Sequence, residues 1–330
     1  MSAKIIDGEP IARQIRQQAA KDAAELAALG YHPRLVAVQV GKNPASMMYV
    51  NMQRRTFRET GVAYDLLQLP RETTQAELLA RIEELNDDPS VTGIILQMPL
   101  PVDLDAREAQ IAITPAKDVE GMHPENMGRL FTGTGTVAPC TAAAAVALLQ
   151  EVDQGLAGEE VVVVGHSEIV GKPIATMLLQ SYHEAPTVTV CHVATRNLTF
   201  HTCRADVVIV ATGVSQARWL NYTRRKAAGE QPPTPDLSPL IGPEILKEGA
   251  IVIDVAINRI PKALDANGEP VLNEKGKPSM MTVGDVDFAR ALPKVSAITK
   301  VPGGVGPVTV AMLLRNTLAC ARRQIQSGPA

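Results

Sequence analysis

Short apolar runs alternate with segments of helical periodicity along nearly the whole chain. In the first hundred residues the pattern predicts helices over 11–29, 45–60 and 75–85, and strands over 35–40, 65–69 and 93–97. The strand runs are rich in apolar residues, as is typical of parallel sheets that are covered on both faces. This β–α alternation predicts a mostly parallel sheet flanked by helices.

A second series of the same kind follows a polar, glycine-rich stretch over 121–135. It predicts helices over 141–151 and 310–323, and strands over 161–164, 187–190, 207–211 and 251–255. Proline, glycine and charge over 218–239 indicate an inserted loop. The Asn267-Gly268 and Lys275-Gly276 pairs indicate a hairpin excursion over 263–279. The chain is therefore predicted to be an α/β protein.

Length and composition narrow the function classes. A chain of 330 residues favours two domains, and 45% apolar with 20% charged residues is ordinary for a soluble α/β protein. The net charge of −3 and 3% aromatic content argue against nucleic-acid binding. The sequence has no apolar run long enough to cross a membrane and starts without a signal-peptide pattern. Four scattered cysteines lack metal-ligand spacing, so we expect a cytoplasmic protein without structural zinc.

A candidate phosphate-binding turn follows the strand at 161–164. Gly165, Ser167 and Gly171 come directly after four consecutive valines and before a segment that reads as a helix. A glycine turn between a strand and a helix aims backbone N–H groups at a phosphate. The spacing differs from GxGxxG, and an ordinary βα turn that binds nothing also uses glycine. By itself this turn favours nucleotide binding only slightly.

Four further windows, taken together with this turn, resemble one enzyme family. The five windows are NPAS at 43–46 followed by Tyr49 and Val50, GIILQMPLP at 93–101, KDVEGMHP at 117–124, GHSEIVGKP at 165–173 and TKVPGGVGPVT at 299–309. In this order they resemble the methylenetetrahydrofolate dehydrogenase/methenyltetrahydrofolate cyclohydrolase family. The resemblance runs nearly end to end, and only 218–239 lacks a counterpart.

The resemblance implies a two-domain architecture. We expect a folate-binding catalytic domain over 1–148 plus 305–330 and a Rossmann-like NAD(P)-binding domain over 149–304, with the last helix returning to the N-terminal domain. It also implies a folate site in the cleft between the domains and, as in many family members, a homodimer. The expected ligands are NADP or NAD and a tetrahydrofolate derivative.

The resemblance places the folate-side residues in three of the windows. Tyr49 is expected to stack on the folate, and Gln97 to hydrogen-bond both the substrate and the residue at position 53. Pro99 is expected beside the substrate. In the last window the same is expected of the Pro302-Gly303-Gly304 loop, where glycine permits a close approach of the backbone.

Two folate-side positions depart from the family pattern. Gln53 stands one helical turn after Tyr49, where the family has its catalytic lysine. An amide does not titrate as an amine does, and general acid–base help is worth ~10²–10⁴ in rate. Glu120 replaces an aspartate that binds the pterin, which displaces the carboxylate by about 1.5 Å. A third departure, Lys300 for proline, is open to three interpretations: a substitute charge, a contact to the folate tail, or a solvated lysine.

For the dinucleotide, the resemblance implies Gly165, Ser167 and Gly171 at the phosphates and Ile257 against the nicotinamide. It adds Thr141 and Thr309 to the cofactor side. In some NADP-using members an arginine stands at the place of His166 and a serine at that of Val193, so these two residues weaken the case for NADP, while Arg196 can compensate. NAD and NADP both stay open.

The leading hypothesis is NAD(P)-dependent oxidation of methylenetetrahydrofolate, with catalytic residues Tyr49, Gln53 and Gln97 and with weak or absent cyclohydrolase activity. Hydride transfer needs mainly positioning and exclusion of water, which Gln53 permits. The alternatives are a changed non-redox reaction on a methylene-folate-like substrate and a non-catalytic folate-binding module.

Overall fold

The computed structural model describes residues 3–42, 44–153 and 155–327, so Asn43 of the NPAS window lies outside the described residues. In chain order the elements are β1 Lys4–Ile6, α1 Gly8–Ala28, β2 Arg34–Val40, α2 Pro44–Glu59, β3 Ala63–Leu69, α3 Gln75–Asp87, β4 Gly93–Leu96, α4 Ala106–Ala112, α5 Pro124–Phe131, α6 Cys140–Gln150, β5 Glu160–Val164, α7 Gly171–Leu178, β6 Thr187–Cys191, α8 Leu198–Thr202, β7 Val207–Val210, α9 Val214–Ala227, β8 Ile251–Asp254, β9 Asn258–Pro261, β10 Met280–Val283, α10 Phe288–Ala291, β11 Ala297–Thr299 and α11 Val305–Ser327, with a 3₁₀ turn at Pro243–Ile245.

The chain divides into two compact units. One, the three-stranded unit, comprises Glu9–Ala144 and Pro307–Ala330, and the other, the six-stranded unit, comprises Met1–Gly8 and Ala145–Gly306. The division departs from the predicted boundaries at the start of the chain, because β1 pairs in parallel with β11 and so joins the six-stranded sheet. A three-residue strand has too few positions to show a period, which is why neither β1 nor β11 was predicted.

The three-stranded unit has a fully parallel sheet in the order β3–β2–β4. One face of this sheet packs on α3 and α4, which bury Leu78, Ile82 and Ala109 against the strands. Helix α3 begins at a capping box, in which Thr74 and Glu77 each satisfy a backbone N–H of the other. Its C-terminal end is held by the buried Lys117, whose Nζ donates to the carbonyls of Leu85, Asn86 and Asp88.

The six-stranded unit has a parallel sheet in the order β1–β11–β8–β7–β5–β6. Its predicted strands are confirmed within one residue at their ends, and the valines of β5 are buried on both faces. Strands β9 and β10 form a separate antiparallel pair, and two tight turns at Gly268 and Gly276 fill the segment between them. This confirms the predicted hairpin excursion over 263–279.

The predicted inserted loop over 218–239 is wrong in its first half, because α9 continues to Ala227. Trp219 and Tyr222 lie one helical turn apart, stack with ring centroids 5.7 Å apart and pack with Ile260. The helix formers among residues 218–227 and this buried pair outweigh the charge that suggested a loop. The prolines and glycine that break regular structure occupy only 229–239.

Among the residues that the structure describes, no helix is both long enough and apolar enough to cross a membrane.

Candidate functional site

Gln53 lies at the centre of a buried polar cluster in the three-stranded unit. Helix α2 carries Tyr49 and Gln53 one turn apart on the same face, and only 6% of Gln53 is exposed. Its Oε1 accepts a hydrogen bond from Gln97 Nε2 at 2.8 Å and a second from the Tyr64 hydroxyl at 2.9 Å. The predicted contact between positions 53 and 97 is therefore present.

The parallel sheet explains why these side chains meet. Gln97 directly follows β4, and its N–H donates to Val38 O of β2, so it lies at the carboxyl end of the sheet. Gln39 lies at the same end of β2, and its Nε2 donates to Ser46 Oγ in the first turn of α2 at 2.6 Å. This bond fastens the start of α2 to the sheet. The buried Gln39 Oε1 has no partner within the described part of the chain.

Tyr49 is half-buried on α2, one turn before Gln53. Burial raises the pKa of its phenol above the ordinary value of 10.0, so the hydroxyl is protonated at physiological pH. A neutral aromatic ring with a polar hydroxyl suits stacking on a flat heterocycle. The geometry is compatible with the predicted folate contact of Tyr49.

Glu120 and the nearby Asp118 differ in their hydrogen bonding. Asp118 is buried, and its Oδ2 accepts hydrogen bonds from His123 N and Asn126 Nδ2, both at 2.8 Å. The half-buried Glu120 makes no hydrogen bond or ion pair with the residues that the structure describes. Burial, and then the charge of Asp118, raise the pKa of Glu120 to about 8. The hydrogen bonds of Asp118 give it a structural role, whereas Glu120 is a protonatable group without a partner among the described residues.

Asn316 of α11 joins the backbone just before Glu120 to the backbone just before α6, a role that the sequence did not indicate. Its Nδ2 donates to Val119 O at 2.9 Å and to Ala138 O at 2.8 Å. Both acceptors are backbone atoms, so no spacing pattern connects Asn316 with the Glu120 segment. The half-buried Thr141, predicted at the cofactor, lies in the first turn of α6 just beyond this segment. The predicted Thr309 lies in α11 and is also in the three-stranded unit.

In the six-stranded unit, the glycine turn after β5 is built from backbone contacts. A Cβ at Gly165, whose φ is +131°, would lie 2.4 Å from Ala211 O, and a Cβ at Gly171 would lie 1.9 Å from Gly165 O. Both positions therefore require glycine. Within the turn, Ser167 Oγ accepts from Val170 N at 3.1 Å. The result is a tight turn ahead of α7 in which no side chain occupies the space beside the glycines. This geometry is compatible with the predicted binding of the dinucleotide phosphates.

The exposed His166 and Arg196 lie in the loops after β5 and β6. The His166 ring contacts the His192 ring edge-on, with centroids 4.8 Å apart. His192 Nδ1 accepts a hydrogen bond from Ala194 N, so His192 is also tied to its own loop. The two adjacent strands thus bring His166 and His192 together at the carboxyl edge of the sheet, next to the glycine turn.

Two buried carboxylates organise the loops beyond β7 and β8. Asp285 Oδ2 accepts from Thr212 N, Thr212 Oγ1 and Gly213 N, and its Oδ1 accepts from Asn258 Nδ2. Asp254 accepts from the backbone of 285 and 286, and burial raises its pKa to about 7. In the chain, Ile257 lies between Asp254 and Asn258, the residue that donates to Asp285, and it is 40% exposed. An apolar side chain on a fixed loop suits the predicted nicotinamide contact.

The Pro302-Gly303-Gly304 loop packs on the start of the chain. Gly8 N donates to Gly303 O at 3.0 Å, and a Cβ at Gly8 would lie 1.8 Å from Gly304 O. Lys300, for which three interpretations were open, forms an ion pair with Asp7 at 2.6 Å. The peptide bonds before Pro99 and Pro302 are both cis.

Comparison with protein-family models identifies both parts of the chain. The catalytic domain of tetrahydrofolate dehydrogenase/cyclohydrolase matches residues 6–120, and the NAD(P)-binding domain of the same enzyme matches 139–223 and 237–325. The chain belongs to the tetrahydrofolate dehydrogenase/cyclohydrolase family. This confirms the predicted family, fold class and cofactor class. Within the NAD(P)-binding match the gap spans 224–236, which is shorter than the 218–239 stretch predicted to lack a family counterpart.

Relatives of this family are similar over nearly their whole length. The bifunctional protein FolD 2 of Geobacter sulfurreducens is 45% identical over 320 residues, which cover 97% of each chain. The FolD methylenetetrahydrofolate dehydrogenase/cyclohydrolase of Campylobacter jejuni is 36% identical with a TM-score of 0.81, covering 98% of this chain and 99% of the other. The Trypanosoma brucei enzyme, solved with NADP and an inhibitor, is 32% identical with a TM-score of 0.82, covering 99% of both.

Proposed function

We propose that this member of the tetrahydrofolate dehydrogenase/cyclohydrolase family oxidises methylenetetrahydrofolate with NADP or NAD and is a weak cyclohydrolase. The observation that supports weak cyclohydrolase activity is the presence of glutamine at position 53. Its buried amide has no titratable proton, and Tyr64 and Gln97 hold its oxygen. A site with an amide at this position can orient a substrate but cannot accept a proton there.

The proposal divides the work between two sets of residues. Gly165, Ser167 and Gly171 would hold the dinucleotide phosphates, and Ile257 would contact the nicotinamide. The bound dinucleotide supplies the hydride acceptor. Tyr49 and Gln97 would orient the pterin, which hydride transfer needs, and neither residue has to exchange a proton.

Hydrolysis makes a demand that dehydrogenation does not. Water must attack a cationic carbon, and protons must then move to and from the reacting atoms. Arg54 and Arg55 lie next to Gln53, but both are exposed and arginine keeps its proton. Without a base at position 53, we expect the cyclohydrolase rate to be lower by ~10²-fold or more than that of a matched enzyme with lysine.

The test compares Gln53→Lys with the matched control Gln53→Met. Methionine resembles the lysine stem in length but carries no charge. Reduction of NADP and NAD by methylenetetrahydrofolate and hydrolysis of methenyltetrahydrofolate are measured separately by absorbance. We expect Gln53→Lys, and not Gln53→Met, to raise hydrolysis by at least ~10-fold.

Fast methenyl hydrolysis by the unmodified enzyme would disprove the proposed weak cyclohydrolase. Consumption of methylenetetrahydrofolate without reduction of either dinucleotide would replace the dehydrogenase with a non-redox folate reaction. Folate binding without any turnover would indicate a binding module.

A further inference from the structure

The Tyr64 hydroxyl is part of the Gln53 cluster, although Tyr64 lies on a different element and in none of the five windows. Tyr64 is the second residue of β3, whereas Gln53 lies on α2 and Gln97 follows β4. The Tyr64 ring packs edge-on against Phe57, with centroids 5.6 Å apart. Phe57 is fully buried and lies one turn after Gln53 on α2. Helix α2 therefore holds both ends of the Tyr64 side chain.

The two hydrogen bonds to Gln53 determine which of its groups a ligand can meet. A carbonyl oxygen has two acceptor lone pairs, and Tyr64 and Gln97 each donate to Gln53 Oε1. Gln53 Nε2 donates to no acceptor in the described part of the chain. Rotating the amide by 180° would remove both bonds to Oε1 and place an N–H group against the Gln97 N–H donor, whereas the Tyr64 hydroxyl, which can also accept, would tolerate it.

We propose that Tyr64 is a positioning residue that, together with Gln97, fixes the Gln53 amide so that only its N–H group is offered to the substrate. This inference rests on the proposed function and adds a specificity rule to it. The ligand atom that meets Gln53 must be a hydrogen-bond acceptor, such as a ring nitrogen or a carbonyl oxygen. A ligand that presents an N–H or a protonated nitrogen at this point is disfavoured, because two donors would then face each other.

The first experiment is a double-mutant cycle on kcat/KM for methylenetetrahydrofolate with saturating NADP. Tyr64→Phe keeps the ring on Phe57 and removes only the hydroxyl. We expect it to lower kcat/KM by about 3- to 10-fold, as for one lost hydrogen bond. In the Gln53→Met background the same change should alter kcat/KM by less than about 2-fold, because the hydroxyl then has nothing to position.

Tyr31→Phe is the matched control, since Tyr31 is 47% exposed and belongs to the same unit. It should leave kcat/KM unchanged. Equal losses from Tyr64→Phe in both backgrounds would show that Tyr64 only supports the packing, and this result would overturn the proposal.

A second measurement needs no activity and separates this inference from the proposed reaction. The side-chain NH₂ signals of Gln53 are assigned in the ligand-free protein by their loss in Gln53→Met. We expect Tyr64→Phe to shift or broaden them, whereas Tyr31→Phe leaves them in place. Unchanged Gln53 signals in Tyr64→Phe would refute the proposal even if the enzyme is an active dehydrogenase. Shifted signals in a protein that reduces no dinucleotide would leave Tyr64 as the positioning residue and reject only the dehydrogenase.

Discussion

The glycine turn of the six-stranded unit and the Gln53 cluster of the three-stranded unit are built in different ways. The turn depends on backbone atoms: Gly165 and Gly171 are required because Ala211 O and Gly165 O lie where a Cβ would be. The cluster depends on side chains from α2, β3 and the loop after β4, joined by hydrogen bonds at 2.8 and 2.9 Å. A site made of backbone accepts almost no change at its key positions, whereas a site made of side chains can exchange one polar group for another and alter its chemistry.

The largest expected effect concerns the glycine turn, whose structure depends on backbone atoms. Gly171→Ala should destabilise the protein by about 3 kcal/mol or more and abolish dinucleotide binding, because the new Cβ meets a backbone oxygen that cannot rotate away. Denaturant unfolding and NADP titration measure the two losses. Gly128→Ala in α5 is the control: nothing lies within 4 Å of its Cβ, so it should stabilise by ~0.5–1 kcal/mol. A tolerated Gly171→Ala would show that the turn can move apart.

A smaller effect concerns the titration of Glu120. Its pKa is raised from 4.5 to about 8 in the folded state, so between these values the folded protein keeps a proton that the unfolded chain releases. Stability from this group is therefore complete below pH ~4.5 and is lost as the pH rises towards 8, by at most about 1.4 kcal/mol per pH unit. Glu120→Gln should remove this part of the slope, which denaturant unfolding at pH 5, 6, 7 and 8 measures.

The exposed Glu72→Gln serves as the control for Glu120→Gln and should leave the slope as it is. An identical pH dependence in Glu120→Gln and the unmodified protein would mean that Glu120 is ionised throughout, and the contrast between Glu120 and Asp118 would then be lost.

The smallest expected effect concerns the loop at 302–304 and tests whether the neighbouring Lys300 side chain contributes to its stability. The Lys300–Asp7 ion pair is about 40% exposed on both sides, and such pairs contribute ~0–1 kcal/mol. Lys300→Met should therefore change the unfolding free energy by less than ~1 kcal/mol, and by less still in high salt. The exposed Lys275→Met is the control. A loss of more than ~2 kcal/mol would show that the six-stranded unit also depends on a side chain.

The predictions succeeded for features that depend on neighbouring residues and failed for features that depend on residues far apart in the chain. Strands β2, β5 and β7 were predicted because their apolar runs are long, and the contact of Gln53 with Gln97 followed from the family motifs. Strands β1 and β11 were missed because three residues carry no periodic signal and their pairing joins residues about 290 positions apart. The helical part of 218–239 was missed because the burial of Trp219 and Tyr222 depends on Ile260, far along the chain.

The sequence by itself determined the family, the alternation of strands and helices, the glycines of the phosphate turn and the absence of lysine at position 53. These features depend on residue identity and local spacing. Only the tertiary structure decided that Tyr64 donates to Gln53 and that Lys300 pairs with Asp7. It also decided that, among the described residues, Glu120 has no hydrogen-bond partner while the nearby Asp118 accepts two hydrogen bonds. The physical reason is that hydrogen bonding, burial and ion pairing depend on which atoms of distant segments lie within a few ångströms of each other, and local spacing does not contain that information.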